Sequence, residues 1–201
     1  MEDTLRAASH ASRDSKLTYE DKLIDAKVVL ERKVRPNYGE LLNATGGSRI
    51  VILDHKFFEK NEPITNGYYN IGEVNEVSRL VQTLLDKGIP SEDITILTFY
   101  EMQRQELLRA MPCKSDIRNV DAFQGRENRV VIISFVRSNT SPKASVGFLN
   151  SINRINVALS RAQEFLFIVW NTEFFRRSHL QHFKKLCKLV HHCPKLSDLN
   201  L

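Results

Sequence analysis

Two apolar runs constrain this chain more than any other feature. Val130 to Val136, broken only by Ser134, and Phe165 to Trp170 are too short for buried helices and are rich in Val, Ile and Phe. Runs of this kind read as strands covered on both faces, which occur in parallel sheets. Between them, Ser151 to Ala162 carries apolar residues at helical spacing, so the segment reads strand, helix, strand. Such a unit closes with a right-handed crossover. Gln124, Arg126, Glu127, Arg154 and Arg161 interrupt this core-building stretch. Polar residues at such places call for a chemical reason.

The rest of the chain repeats the alternation. Ser48 to His55 reads as a first strand and Lys56 to Gly67 as a polar loop. A helix to about Lys87 follows, with Ile71, Val74, Val77, Leu80, Val81, Leu84 and Leu85 on one face. Asn70 suits its N-cap, with Glu73 as capping-box partner, and Gly88 suits its end. Ile94 to Tyr100 reads as a strand and Glu101 to Met111 as a helix. Ile117 to Phe123 forms a short strand, and Arg129 to Val136 and Glu164 to Trp170 form the two central ones. A last helix, capped by Thr172, runs from Glu173 to about His191, with a basic outer face that reads as a solvated face. The expected architecture is an α/β domain of three layers on a mostly parallel sheet. Residues 1–47 read as a polar leader, where Tyr19 to Val34 allows a short helix. Residues 48–192 form the domain, and 193–201 a short tail.

At 201 residues one domain with a substantial core is expected. The net charge of +5 permits nucleic-acid binding without requiring it. No apolar run reaches the roughly 20 residues needed to span a bilayer, and the N-terminus lacks the apolar stretch of a signal peptide. No membrane contact is expected, and the location expected is cytoplasmic or nuclear. Cys113, Cys187 and Cys193 are too few for a disulfide framework and read as reduced thiols. Cys187 and Cys193 near His191 and His192 match no standard zinc spacing, so no metal site is expected.

Asp121-Ala-Phe-Gln-Gly-Arg-Glu127 and Asn156-Val-Ala-Leu-Ser-Arg161, with Gly147-Phe-Leu-Asn150 between them, resemble motifs V and VI of superfamily 1 helicases. The resemblance is to the branch that includes the nonsense-mediated-decay and senataxin-like enzymes. Asn70-x-x-Glu73 is similar to motif IVa of that family. The likeness covers roughly residues 49 to 190 and corresponds to the second, C-terminal of two RecA-like domains. It implies a RecA-like fold of the phosphate-loop NTPase type and several residue roles. Arg161 stands where the family has its arginine finger, a permanently charged planar group suited to two phosphate oxygens, with pairing to a neighbouring carboxylate as the alternative. Gln124, Gly125 and Glu127 stand at nucleotide-contacting positions, Glu127 at that of an acid bonding ribose hydroxyls. Arg154 is either a helix-start ion pair or a further cleft residue. Thr98, Tyr100 and Gln103 match a Thr-x-Tyr-x-x-Gln segment that faces the nucleic-acid strand, with strand-end capping and core filling as the alternative. Arg126 reads as a surface or nucleic-acid contact.

Departures matter equally. Neither a Gly-x-x-x-x-Gly-Lys-Ser/Thr phosphate loop nor the family's Gln-Tyr-Arg exists in the sequence, and Gln163 replaces a second motif VI arginine. Hydrolysis needs the phosphate loop and an acidic Mg²⁺ partner. ATP and Mg²⁺ are therefore expected only in combination with a first RecA-like domain, in cis or in trans, with none bound by this chain alone. The resemblance implies the C-terminal motor half of an ATP-dependent RNA/DNA helicase-like protein acting on single-stranded RNA or DNA, inactive alone. The alternative is a non-catalytic nucleic-acid-binding or docking module derived from one. An unrelated nucleotide-binding α/β protein would need its own Gly-rich phosphate turn, and none is evident.

Overall fold

The structure, a computed structural model, describes residues 38–63, 67–111, 114–140 and 146–190. The candidate helix between residues 19 and 34, the 193–201 tail, Cys113, Cys193, His191 and His192 lie outside the described residues.

The described residues build a main sheet from β1 (Ile50–Asp54), β4 (Ile94–Thr98), β5 (Asp116–Asn119), β6 (Asn128–Ser134) and β7 (Ala162–Trp170). These 5 strands are all parallel, in the order β1-β7-β6-β4-β5. The apolar runs named above form the two adjacent strands β6 and β7, with Val131 opposite Leu166 and Ile133 opposite Ile168. Alternate side chains go to opposite faces, so a buried parallel strand must be apolar at nearly every position. Val130, Ile132, Phe165, Phe167 and Val169 pack with Val51, Leu53 and Ile96 on one face. Val131, Ile133, Leu166, Ile168 and Trp170 pack with Ile50 and Ile52 on the other.

Helices close both faces. The first face carries α1 (Gly39–Ala44), α2 (Ile71–Asp86) and α3 (Glu101–Ala110). On the second face lie α4 (Ile152–Leu159), α5 (Thr172–Arg177) and α6 (Gln181–Val190). This is the three-layer α/β arrangement expected from the strand and helix pattern.

Three local readings change. The stretch read as a loop after β1, Lys56 to Gly67, holds a strand β2 (Lys60–Glu62) that pairs antiparallel with β3 (Gly67–Tyr69) just beyond it, which places Glu59 and Tyr68 beside the sheet's carboxyl edge. The single C-terminal helix is two, and its cap is Asn171 rather than Thr172: the Phe174 N–H donates to the Asn171 side chain at 2.8 Å. A break at Ser178 to Leu180 lets α6 turn back so that Phe183 packs at a tilt against Phe175, centroids 4.5 Å apart. Finally, the packed core begins before residue 48. Tyr38 is fully buried, stacks on Phe165 and donates its hydroxyl proton to Asp93 at 2.6 Å. Burial of an aromatic ring outweighed the polar composition around it.

Candidate nucleotide and nucleic-acid interface

The residues singled out in the sequence separate into two groups, one at each end of the sheet. At the amino end, the loop Gln124 to Glu127 leads into β6, and the end of α4 leads into β7. Gly125 has φ +78°, a left-handed conformation that other residues resist, and this turns the loop outward. Gln124, Arg126 and Glu127 are exposed and Arg161 is half-buried. Hydrogen bonds tie the two motifs together. The Asn128 N–H donates to the Arg161 carbonyl at 3.0 Å, and Arg161 Nη1 donates to the Arg126 carbonyl at 3.0 Å. Arg161 Nε donates to the Val157 carbonyl at 2.8 Å and Nη2 to Ser160 Oγ at 2.8 Å. The guanidinium thus folds back over the last turn of α4, where a cation complements the free carbonyls. Gln163 donates to Glu127 at 2.6 Å, so the residue replacing a second arginine holds the loop's carboxylate.

The carboxyl end holds the second group, mostly under the surface. Glu73 is fully buried at the start of α2. Its N–H is capped by Asn70 Oδ1 at 3.2 Å, but its carboxylate does not complete the capping box. Instead it accepts from Ser134 Oγ at 2.5 Å, from the Val136 N–H at 3.0 Å and from His55 Nε2 at 2.7 Å. His55 Nδ1 accepts from the Phe57 N–H at 3.1 Å, which leaves the ring proton on Nε2 to donate to Glu73. The vacated half of the capping box is filled by Gln103, whose Oε1 accepts from the Asn70 N–H at 2.7 Å while Nε2 donates to Ser134 Oγ at 2.9 Å.

These contacts brace a strained turn. Val136 has φ +70°, a conformation that a β-branched residue strongly resists. The Arg137 N–H donates to the Phe135 carbonyl at 2.7 Å, closing a γ-turn around it. Past the turn, Arg137 forms a two-pronged pair with Glu59, Nε at 2.9 Å and Nη2 at 3.1 Å, and lies 4.0 Å above the Tyr68 ring. Tyr100 is buried next to this pair and donates its hydroxyl proton to the Val146 carbonyl at 3.1 Å. Burial pushes the Tyr100 phenol up to about 12, against the pull of Arg137.

Thr98 and Gln103 therefore present no side-chain surface to a strand lying on the domain. Thr98 is wholly buried, and its Oγ1 lies 3.5 Å from the Tyr100 N–H. Tyr100 is only 3 % exposed, so the three residues brace the carboxyl edge from within. Arg154 takes the first of its two alternatives: Nη2 pairs with Asp121 at 3.0 Å. It lies near the start of α4, whereas Arg161 lies in the turn after the helix ends at Leu159, and it does not join the amino-end group. Arg126 is exposed with its guanidinium 5.3 Å from the Phe123 ring.

Sequence reasoning missed His55, Glu59, Ser134 and Arg137, which join residues far apart in the chain. The one available signal was a charged residue, Arg137, directly after the apolar run. Away from both ends, Glu164 is buried with Arg49 at 2.6 Å and fixes β1 to β7. Cys187 is the free cysteine among the described residues, and burial raises its thiol to about 11. Among the described residues no group of acids, histidines and cysteines could hold a metal ion, and no helix is long and apolar enough to cross a membrane.

Comparison with known proteins completes this description. Residues 8–173 match the AAA domain family. The chain belongs to that family, in its superfamily 1 helicase branch. The family match begins at residue 8, inside the segment set apart as a leader, and so agrees with Tyr38 being part of the core. DNA-binding protein SMUBP-2 of Rattus norvegicus is 42% identical over 104 residues, 50% of this chain and 10% of that protein. The Regulator of nonsense transcripts 1 homolog of Drosophila melanogaster is 37% identical over 137 residues, 61% of this chain and 11% of its own length. The Helicase required for RNAi-mediated heterochromatin assembly 1 of Schizosaccharomyces pombe is 32% identical over 168 residues, 80% of this chain and 16% of its own. This helicase domain thus spans between a tenth and a sixth of these curated relatives.

Proposed function

We propose that the chain is the second RecA-like unit of an ATP-dependent helicase-like motor acting on RNA or DNA. In this reading it contributes one wall of a nucleotide site, completed by a first RecA-like domain in cis or in trans. The observation that carries the reading is the union of the two helicase motifs at the amino edge of the sheet. The bonds from Asn128 to Arg161 and from Arg161 to Arg126 make the outward loop and the candidate finger one unit.

The donor set fits half of a nucleotide site. Bound between the two domains, ATP with Mg²⁺ supplies the phosphoryl group whose transfer drives the motor. On this side, the Arg161 guanidinium would release its three intrachain oxygens and turn toward phosphate, with a planar donor set suited to that partner. Glu127, held by Gln163, offers a carboxylate for sugar hydroxyls, and the left-handed turn at Gly125 brings the backbone outward. Arg126 and the buried frame around Tyr100 serve the nucleic-acid side. Without a phosphate loop the chain alone turns over no ATP.

ATP turnover by the purified chain, with and without single-stranded RNA, tests the proposal beside the chain fused to a first RecA-like domain. No turnover by the chain alone is expected. RNA-stimulated turnover is expected from the fusion, lowered by about 10³-fold or more in Arg161→Ala, as for other arginine fingers. Full activity of the Arg161→Ala fusion would refute the finger assignment. Turnover by the chain alone, lost in Arg161→Ala, would refute its dependence on a partner domain.

A further inference from the structure

The family resemblance offered Tyr100 as an aromatic nucleic-acid contact, with core filling as the alternative, and Tyr100 is buried. The ring that reaches the surface beside it is Phe148, 59 % exposed, with its centroid 5.7 Å from that of Tyr100. A single exposed aromatic residue is ordinary on a protein surface. Phe148 differs in how firmly its backbone is held. It lies in the short helical turn Gly147–Asn150, between Val146 and Leu149, which are both buried. The Val146 carbonyl takes the Tyr100 hydroxyl proton. Gly147 has φ +56°, and a Cβ there would stand 2.8 Å from Arg137 Nη1 and 3.2 Å from the Tyr100 hydroxyl oxygen. Arg137 is itself fixed by Glu59. The turn is clamped on its inner side, and Phe148 is the large side chain it presents outward.

The surroundings define the ligand. The Arg154 guanidinium lies 5.6 Å from the Phe148 ring centroid and is held there by Asp121. An aromatic face beside a partly exposed guanidinium offers a nucleobase both π surface and a cation that can meet phosphate. The site lies beyond the carboxyl ends of β4 and β5, where open parallel sheets bind their ligands. An apolar protein partner would have to cover both charges of the Arg154 and Asp121 pair at a cost in desolvation, whereas an unpaired base can stack and leave them wet.

We propose that Phe148, propped by Tyr100 and flanked by Arg154, is a stacking platform for one unpaired base of single-stranded RNA or DNA. The proposal rests on the reading of this domain as nucleic-acid binding. It reassigns the expected role of Tyr100: Tyr100 positions the aromatic contact, and Phe148 makes it.

Fluorescence anisotropy of a short labelled oligoadenylate titrated with the full chain tests this, using wild type, Phe148→Ala, Phe148→Leu and Phe148→Trp. Loss of one stacking contact is expected to weaken binding by about tenfold in both Phe148→Ala and Phe148→Leu. The slope of affinity against salt should not change, because no phosphate contact is removed. Phe148→Trp should retain affinity, and its emission should be quenched by unlabelled oligonucleotide, while buried Trp170 gives a constant background. Wild-type affinity in Phe148→Leu would overturn stacking. Equal affinities of wild type and Phe148→Ala would overturn the platform and leave the nucleic-acid reading standing. Absence of binding by wild type would overturn both.

Discussion

Replacing Glu73 should destabilise the domain more than replacing any surface carboxylate, and the structure allows the size to be worked out. The carboxylate is wholly buried and accepts from His55 Nε2, Ser134 Oγ and the Val136 N–H. Glu73→Ala leaves those three donors without a partner, at about 1–3 kcal/mol each. Ser134 can turn its hydroxyl elsewhere, and Val136 can relax part of the strain of its φ of +70°, itself about 1–3 kcal/mol. The net expectation is a loss of about 3–5 kcal/mol, a large share of a typical domain's stability. Glu73→Gln keeps the shape but turns an NH₂ toward a donor, and is expected to cost about 1–2 kcal/mol. Urea unfolding followed by the single tryptophan, Trp170, reports the difference as a lower midpoint with an unchanged slope. A loss below about 1 kcal/mol in Glu73→Ala would refute the reasoning, because the three donors would then have found other partners.

Other predictions follow from single contacts. Asn171→Ala removes the cap of α5 and a 2.9 Å bond to Ser138 Oγ, so thermal unfolding should show a loss of about 1–2 kcal/mol. The Glu101 carboxyl is held down at about 2, first by Arg104 and then by Asn119. A lowered carboxyl favours the fold above its unfolded value of 4.5, and that contribution fades as pH falls toward 2. The side chain is 48% exposed, so solvent screening keeps the contribution small. In Arg104→Ala, carboxyl NMR should find Glu101 titrating closer to the ordinary carboxylate range; an unchanged value would discount the Arg104 bond. Burial lifts the Cys187 thiol to about 11, so peptide mapping after iodoacetamide treatment at neutral pH should find it modified far more slowly in the folded chain than in urea.

Much of the framework could be read along the chain because its causes are local. The run from Val130 predicts β6, and Phe165 to Trp170 predicts most of β7, because a strand buried on both faces must be apolar at nearly every position. Asn70 is legible as a cap because its acceptor meets an N–H only three residues away. The same local logic misreads Glu73. The capping-box pattern describes its spacing, while its carboxylate answers to residues 18, 61 and 63 positions away. Asn171 and Thr172 both suit an N-cap, and the backbone path out of β7 decides between them.

What the sequence determined by itself is the alternation of strands and helices, the parallel character of the sheet, and the helicase motifs with the phosphate loop they lack. Period, cap chemistry and motif spacing are properties of neighbouring residues. Tertiary structure alone decided which motif residues meet. It joined Arg161 to the loop before β6, separated Arg154 from that group, and buried Thr98, Tyr100 and Gln103 while leaving Phe148 exposed beside Tyr100. Those outcomes depend on strand order and on competition for buried hydrogen-bond partners. Each pairing excludes others across the whole domain, and no local window of sequence contains the competitors.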